Sequence, residues 1–202
     1  MKKNFCGVRD MATEYEWKFR ATGEQLAAIA GVFPETGLKI SMETTYFDTP
    51  TGQLSARHYT LRRRLENGES VCTLKTPAGN ARSEFEVRCE DIHDAIGEFP
   101  GLGCPADFSG LVQEGIIPIC GAKFTRTAKT IVLPEGTVEL ALDAGVLMGG
   151  GQEIPLCEVE VELKSGDVGF CDLFAKTLAA RFGLKMEKNS KFRRALALYR
   201  GE

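Results

Sequence analysis

The chain has 202 residues, 43% hydrophobic and 26% charged, with 25 Lys and Arg against 28 Asp and Glu for a formal net charge of -3. This composition predicts one folded domain with a real core and excludes a largely disordered chain. The near balance of charge argues against bulk attraction to nucleic acid, and no apolar run approaches the ~18 residues of a membrane span. With no secretion signal either, we expect a cytoplasmic protein that binds neither membrane nor nucleic acid. The sequence is compatible with a homodimer.

Cysteine and histidine usage limits the metal chemistry. The seven cysteines lack any Cys-x-x-Cys pair, which predicts small buried residues in a reducing compartment and neither disulfides nor a zinc site. Only two histidines, His58 and His93, are present. A histidine-built metal site or catalytic triad is therefore nearly impossible to assemble.

In chain order, residues 1–10 are predicted to be an N-terminal tail and residues 11–202 a single domain. Period-two alternation of apolar and polar residues predicts eight strands, mostly antiparallel. They fall at about residues 12–20, 42–49, 58–66, 70–76, 82–89, 121–133, 137–144 and 156–164. Asn67-Gly68 and Pro134-Glu135-Gly136 are typical hairpin turns, so strands adjacent in sequence are expected to be adjacent in space.

Helical periodicity predicts four helices. They fall at residues 22–33, 90–99 and 167–182 and after Ser190. Thr22 is a candidate N-cap for the first, and Gly183 a stop signal for the third. The fold class is therefore α+β with mainly antiparallel strands.

Charged residues share faces along the strands. In the first strand Glu14, Glu16 and Lys18 lie on one face, opposite Tyr15 and Trp17. The same separation recurs at Arg62 and Arg64, at Thr73 and Lys75, at Arg82, Glu84 and Glu86, at Glu139 and Asp143, and at Glu158, Glu160, Glu162 and Lys164. A solvated outer face is the simpler explanation for any single strand. Taken together, the acid-x-acid and Arg-x-Arg pairs favour an eight-stranded closed barrel with a charged interior and helices on its apolar outside.

Such an interior has a chemical meaning. Carboxylates without His or Cys suit hard divalent ions, Mg²⁺ or Mn²⁺. Clustered Arg and Lys suit phosphate. The pattern therefore indicates a site for metal-bound polyphosphate, and no P-loop sequence is present.

A series of motifs resembles the CYTH superfamily, the triphosphate tunnel metalloenzymes. The series opens with Glu14-x-Glu16-x-Lys18. It continues with Thr45-Tyr46-Phe47-Asp48-Thr49-Pro50, Leu61-Arg62-Arg63-Arg64, Thr73-Leu74-Lys75, Arg82-Ser83-Glu84-Phe85-Glu86, the run 138–143, the run 158–163 and Ser190-Lys191-Phe192-Arg193-Arg194. The resemblance covers about residues 12 to 200 and implies an eight-stranded antiparallel tunnel that acts on triphosphates with a divalent metal.

The resemblance also implies roles for single residues. Metal ligands would be Glu14 and Glu16 with two of Glu158, Glu160 and Glu162, and a second metal or its waters would be held by Glu84, Glu86 and Asp143. Phosphate oxygens would be bound by Lys18, Arg62, Arg64, Lys75, Arg82, Arg126, Lys191 and Arg194, with Lys123 or Lys129 as alternatives to Arg126. Catalysis would depend on Glu16, Lys75 and Glu162. Lys191 and Arg194 would close one tunnel mouth, and Asp48 and Pro50 would be structural.

Three enzymatic functions and one non-enzymatic alternative are considered from this resemblance. Inorganic triphosphatase is favoured, because the chain is short and shows no additional element that reads a nucleotide. Class IV adenylate cyclase and thiamine triphosphatase are the enzymatic alternatives. The alternative from another class is a polyphosphate-binding module without turnover, against which the intact set of acids argues.

Overall fold

The computed structural model describes residues 7–9, 15–33, 37–78 and 81–202. Ten strands are present in these ranges: β1 (Gly7–Arg9), β2 (Glu16–Arg20), β3 (Leu38–Asp48), β4 (Thr60–Glu66), β5 (Glu69–Ala78), β6 (Ala81–Val87), β7 (Ile117–Leu133), β8 (Gly136–Gly149), β9 (Gln152–Gly166) and β10 (Lys185–Met186). The α-helices are α1 (Gly23–Val32), α2 (Gln53–Ala56), α3 (Ile92–Glu98), α4 (Phe108–Leu111), α5 (Val168–Phe182) and α6 (Lys191–Arg200), with 3₁₀ turns at Phe99–Leu102 and Val112–Glu114. None of the helices described is both long and apolar enough to span a membrane.

All ten strands belong to one antiparallel sheet. Their order is β1-β6-β5-β4-β3-β7-β8-β9-β2-β10. The eight predicted strands are all confirmed, and the hairpin of β8 and β9 extends through residues 145–155, where a loop was expected. Asn67 and Gly68 adopt φ of 51° and 88° in the turn between β4 and β5, as their hairpin sequence predicts.

The predicted closed barrel of eight strands is wrong. Within the described ranges the sheet is open, because no ladder of hydrogen bonds joins its β1 edge to its β10 edge. Two short strands instead extend the edges, β1 on β6 and β10 on β2. Alternation along a strand specifies which face a side chain occupies, whereas closure depends on strand tilt and stagger, which alternation does not encode. β1 comes from the predicted tail, most of which lies outside the described residues.

The sheet nevertheless curls around a cavity. Arg20 of β2 and Arg82 of β6, from near opposite ends of the strand order, line one cavity of about 930 Å³ together with residues of α6. We call the face turned toward this cavity the inner face.

Two apolar clusters cover the outer face. Under α1 and α5, Val159 and Val161 pack with Ile29 and Leu178, and Trp17 packs against their edge. The second cluster joins β4, β5 and β6 to α3, α4 and the 3₁₀ turn between them, and it includes Phe85. The expected apolar exterior under helices is therefore confirmed for these strands.

Helix α6 packs instead on the inner face. Ser190 caps its first turn by accepting a hydrogen bond from the Arg193 backbone N–H at 3.1 Å. The ring of Phe192 packs at a tilt of 44° against Tyr46 of β3 with ring centroids 4.9 Å apart. Ala195 and Leu196 join an apolar cluster with β7, β8 and β9. The amphipathic last helix therefore presents its basic residues toward the charged strands.

Asp48, at the end of β3, has the structural role expected from sequence. Its side chain is 2% exposed, and its oxygens accept hydrogen bonds from the backbone N–H groups of Thr49 and Leu54 at 2.8 Å and of Ser55 at 3.0 Å. These bonds attach the start of α2 to the sheet.

We expect Asp48→Ala to lower the free energy of unfolding by about 3 kcal/mol, because three buried backbone donors lose a charged acceptor. Asp48→Asn keeps one acceptor oxygen and should lose less. Urea unfolding followed by circular dichroism measures both variants. An unchanged unfolding midpoint for Asp48→Ala would contradict the role.

Candidate functional site

Strand register places the charged residues on the inner face. Directly paired residues of antiparallel strands point to the same side of a sheet. Rows of such pairs join Glu16 to Glu162 and Glu139, Lys18 to Glu160, Arg126 to Asp143 and Glu158, Arg62 to Thr73 and Glu86, and Lys75 to Glu84. One face of the sheet therefore carries the predicted charged residues of all these strands.

Arg126 lies on this inner face, whereas its two alternatives do not. Lys123 and Lys129 occupy odd positions of β7, which face the opposite side. The Lys129 ammonium instead donates to the backbone carbonyl of Phe33. Of the three candidates, Arg126 is therefore the one on the same face as the other charged residues.

Three carboxylates form the centre of the site. Asp143, Glu158 and Glu160, from the neighbouring strands β8 and β9, have side-chain oxygens that all lie within 4.8 Å of one another. Asp143 and Glu158 are fully buried. We call these three residues the carboxylate triad. Of the three glutamates in register on β9, the structure brings Glu158 and Glu160 together with Asp143.

Three cations surround the triad. Arg126 binds Asp143 through two hydrogen bonds of 2.8 Å and also contacts Glu160. Lys191 contacts one oxygen of each triad residue, at 2.9 Å from Asp143 and 2.7 Å from Glu160. The third cation, Arg194, donates to Glu158 at 2.6 Å. This pairing allows two buried carboxylates and a third largely buried one to lie so close together.

Burial and these neighbours shift the pKa values of the triad in opposite directions. Burial raises the pKa of Glu158 to about 7. Burial also opposes ionisation of Glu160, but the charges of Lys191 and Arg126 outweigh it and lower the Glu160 pKa. Although burial alone would lower the pKa of Lys191, the surrounding carboxylates raise it. Glu160 and Lys191 therefore form a buried charged pair at neutral pH.

The donor set of the triad fits a hard divalent cation. It offers carboxylate oxygens alone, converging from two rigid strands, which is the chemistry that Mg²⁺ and Mn²⁺ prefer. The residues that could hold such an ion are Asp143, Glu158 and Glu160.

Arg62 and Arg64 form a second part of the site on β4. The Nε atoms of both are buried and have no hydrogen-bond partner among the described residues. Arg64 forms an ion pair with Glu66 at 2.6 Å, whereas Arg62 has no carboxylate partner in the same ranges. Burial, and then the charge of Arg62, lower the pKa of Arg64. Two half-buried arginines, each with a buried Nε donor left unused by the described residues, have the chemistry that suits an anion.

The remaining predicted residues occupy separate places on the inner face. Lys75 contacts Glu84, and Thr73 bonds Glu86 at 3.3 Å, on β5 and β6 rather than in the triad. Glu16 pairs with Lys18 at 3.1 Å. A further pair joins Glu162 to Lys164 at 2.6 Å. Arg82 is exposed at the cavity wall. Glu14 lies outside the described residues.

Sequence reasoning missed Glu187. This carboxylate is 4% exposed, contacts Arg20 and lies 3.5 Å from Arg194. Its backbone N–H donates to the carbonyl of Lys18 at 2.8 Å. Glu187 thereby links β2 to α6 and orients Arg194. No signal pointed to it, because its neighbours Lys185, Met186 and Lys188 are polar or exposed and give no strand periodicity.

Comparisons with known proteins agree with this geometry. The CYTH domain family matches residues 12–196. The inorganic triphosphatase of Haemophilus influenzae is 30% identical over 160 residues, which are 76% of this chain and 45% of that protein. A Bacillus subtilis protein, YjbK, with a provisional triphosphatase name is 32% identical over 85 residues, 42% of this chain and 45% of its own. The chain therefore spans about half the length of these curated relatives.

A solved structure shows the same fold. It is a protein from Hippeastrum, provisionally an adenylyl cyclase and described as having dominant triphosphatase activity. It superposes with a TM-score of 0.60 at 19% identity, covering 94% of this chain and 96% of its own. Fold, inner-face chemistry and sequence match agree on one class of protein, an antiparallel sheet with acidic and basic residues gathered on its inner face. The chain belongs to the CYTH domain family.

Proposed function

We propose that the chain hydrolyses triphosphates with a divalent cation, Mg²⁺ or Mn²⁺, and that inorganic tripolyphosphate is its preferred substrate. The observation that carries the proposal is the pair of buried Nε donors of Arg62 and Arg64, which have no hydrogen-bond partner among the described residues and lie on the same inner face as the carboxylate triad. One part suits phosphate oxygens and the other suits a divalent cation. The triphosphatase names of the two curated relatives and of the Hippeastrum protein support the same reaction.

In this proposal the arginines bind and orient the phosphate chain. Arg62 and Arg64 donate to its oxygens and satisfy their buried Nε atoms, while Lys75 and Lys18 approach it from β5 and β2. Arg82 and Arg194, which line the cavity, hold its outer end. Positioning of this kind supplies much of the catalysis in phosphoryl transfer.

The chemical step needs a water molecule in line with the terminal phosphorus. In this proposal Glu16 or Glu162 takes a proton from that water, and their direct cross-strand pairing on β2 and β9 supports a shared role. The new bond forms between the water oxygen and phosphorus, the bridging P–O bond breaks, and pyrophosphate leaves. When bound, Mg²⁺ or Mn²⁺ would neutralise charge developing on the phosphate oxygens.

The carboxylate triad also supports a metal-dependent enzyme over a module that only binds polyphosphate. A module that only binds polyphosphate needs its basic residues, and buried carboxylates would weaken its affinity for an anion. Three acids held in a buried cluster at the cost of desolvation are therefore more consistent with a metal-dependent enzyme.

We expect tripolyphosphate to be turned over with a kcat/KM at least ~10-fold higher than that of ATP, equivalent to about 1.4 kcal/mol of transition-state stabilisation. The reason is that recognition rests on charged bonds to phosphate, whereas a nucleoside adds bulk at the mouth of the cavity. Tripolyphosphate, ATP and thiamine triphosphate are each assayed with Mg²⁺ and with Mn²⁺, and both phosphate and cyclic AMP are measured.

Better turnover of ATP with release of cyclic AMP would replace the proposal by an adenylate cyclase. Preference for thiamine triphosphate would favour the other enzymatic alternative. Binding of tripolyphosphate without release of phosphate at any metal concentration would leave a binding module.

A further inference from the structure

Lys191 occupies the centre of the carboxylate triad. Its Nζ lies 2.9 Å from Asp143 and 2.7 Å from Glu160, and it also contacts Glu158. An ammonium group has three N–H donors, and here Lys191 donates to Glu158 and Glu160 and forms an ion pair with Asp143. The side chain of Lys191 is only 12% exposed, so water does not compete strongly for these bonds.

A divalent cation would need the same oxygens. The triad oxygens lie within 4.8 Å of one another, which leaves room for one cation among them. An ammonium and a metal ion in contact with the same three carboxylates would repel each other strongly in a buried site. Arg194 binds the other oxygen of Glu158, Oε2. Arg126 binds both oxygens of Asp143 and Oε2 of Glu160, so it shares only Asp143 Oδ2 with Lys191. Among the cations of the described residues, Lys191 is the one that contacts an oxygen of each of the three triad residues.

We propose that Lys191 is a resident cation that holds the triad together in the metal-free protein and must leave it before a divalent metal can bind. This inference rests on the proposed function, because it concerns the metal that the reaction uses. Lys191 is the first residue of α6, directly after the Ser190 cap, so its flexible side chain can turn away while the helix stays in place.

Displacement of Lys191 would also couple the binding of triphosphate to the binding of metal. A triphosphate bound at Arg62 and Arg64 would attract the Lys191 ammonium toward its own oxygens and free the triad. Metal and triphosphate would then each increase the affinity for the other, because coupling between two sites is reciprocal. Lys191 would thus act as a positioning residue for the metal as well as a phosphate ligand.

The test is the binding of Mn²⁺ alone, without any phosphate compound. Free Mn²⁺ is measured by its electron paramagnetic resonance signal during titration of wild type, Lys191→Met and Lys188→Met. We expect Lys191→Met to bind Mn²⁺ at least ~10-fold more tightly than wild type, because the competing charge is gone. Lys188 is exposed three residues earlier in the chain, so Lys188→Met should match wild type.

A second readout follows metal-free stability. Without metal, Lys191→Met should unfold at a lower temperature than wild type, because the triad carboxylates lose a shared partner, and Mn²⁺ should raise its unfolding temperature more than it raises that of wild type. If Lys191→Met folds only when Mn²⁺ is present, the same expectation is met in its extreme form. Lys191→Gln, which keeps an amide NH₂ donor group but no charge, should fall between the two.

Mn²⁺ affinity in Lys191→Met and Lys191→Gln equal to or weaker than that of wild type would overturn the inference. If wild type still releases phosphate from tripolyphosphate, the proposed function then stands without it. Absence of both metal binding and turnover would refute the two together.

Discussion

Replacement of Arg62 by methionine is expected to lower kcat/KM for tripolyphosphate about 100-fold while leaving the fold intact. The loss corresponds to about 2.7 kcal/mol, the size of effect seen when one buried donor to a transition-state oxyanion is removed. Stability should not fall, because the buried Nε of Arg62 has no partner within the described ranges and the charge of Arg62 disfavours that of Arg64. Phosphate release and urea unfolding of the same preparation separate the two effects.

The neighbouring residue supplies a matched control. Arg63 faces the opposite side of β4, where its Nε donates to Ser70 at 3.1 Å and its guanidinium lies 3.7 Å from Glu90. Arg63→Met removes the same charge from the same strand. It should leave kcat/KM within about twofold of wild type, because the loss of an exposed ion pair changes the free energy only slightly. Equal losses in the two variants would refute the assignment of Arg62 to the substrate.

Glu160→Gln is expected to lower metal-dependent turnover more than ~100-fold. Loss of a group that merely supports a metal ligand costs about 10-fold to 100-fold, and loss of a ligand itself should cost more. The variant should also be less stable by about 2 kcal/mol, because Arg126 and Lys191 lose a charged acceptor. Turnover is therefore measured well below the unfolding temperature, over a series of Mg²⁺ and Mn²⁺ concentrations.

Glu153 gives the control on the same strand. It is exposed near the β8–β9 turn, opposite Met148, and makes no contact with the triad. Glu153→Gln should retain wild-type turnover. Wild-type turnover in Glu160→Gln at equal metal concentrations would show that the triad is not the metal site.

Alternation in sequence predicted the face of the charged residues on the described strands correctly, because side chains of a strand point to opposite sides by geometry alone. Alternation alone therefore assigns Glu160, Arg62 and Lys75 to the same face of the sheet. Which of them touch was not predictable, since contact depends on the stagger between strands. Glu158 and Glu160 therefore emerged as partners of Asp143 only from the register of β8 and β9.

Two features depended on long-range packing and could not be read from sequence. Closure of the sheet requires its edges to meet, and the short strands β1 and β10 occupy those edges instead. Glu187 acts through Arg194, seven residues later and across the start of α6. Neither local periodicity nor spacing reports such contacts.

The opposite faces of the strands also determine what changes of length the protein tolerates. Insertion or deletion of one residue inside β9 would turn Glu158 and Glu160 toward the helices and Val159 toward the cavity, on one side of the change. One such insertion or deletion would both bury charged side chains in the apolar core and remove the carboxylate triad. Insertions and deletions should therefore be confined to turns such as Gly150-Gly151, where both residues have positive φ and no strand changes face.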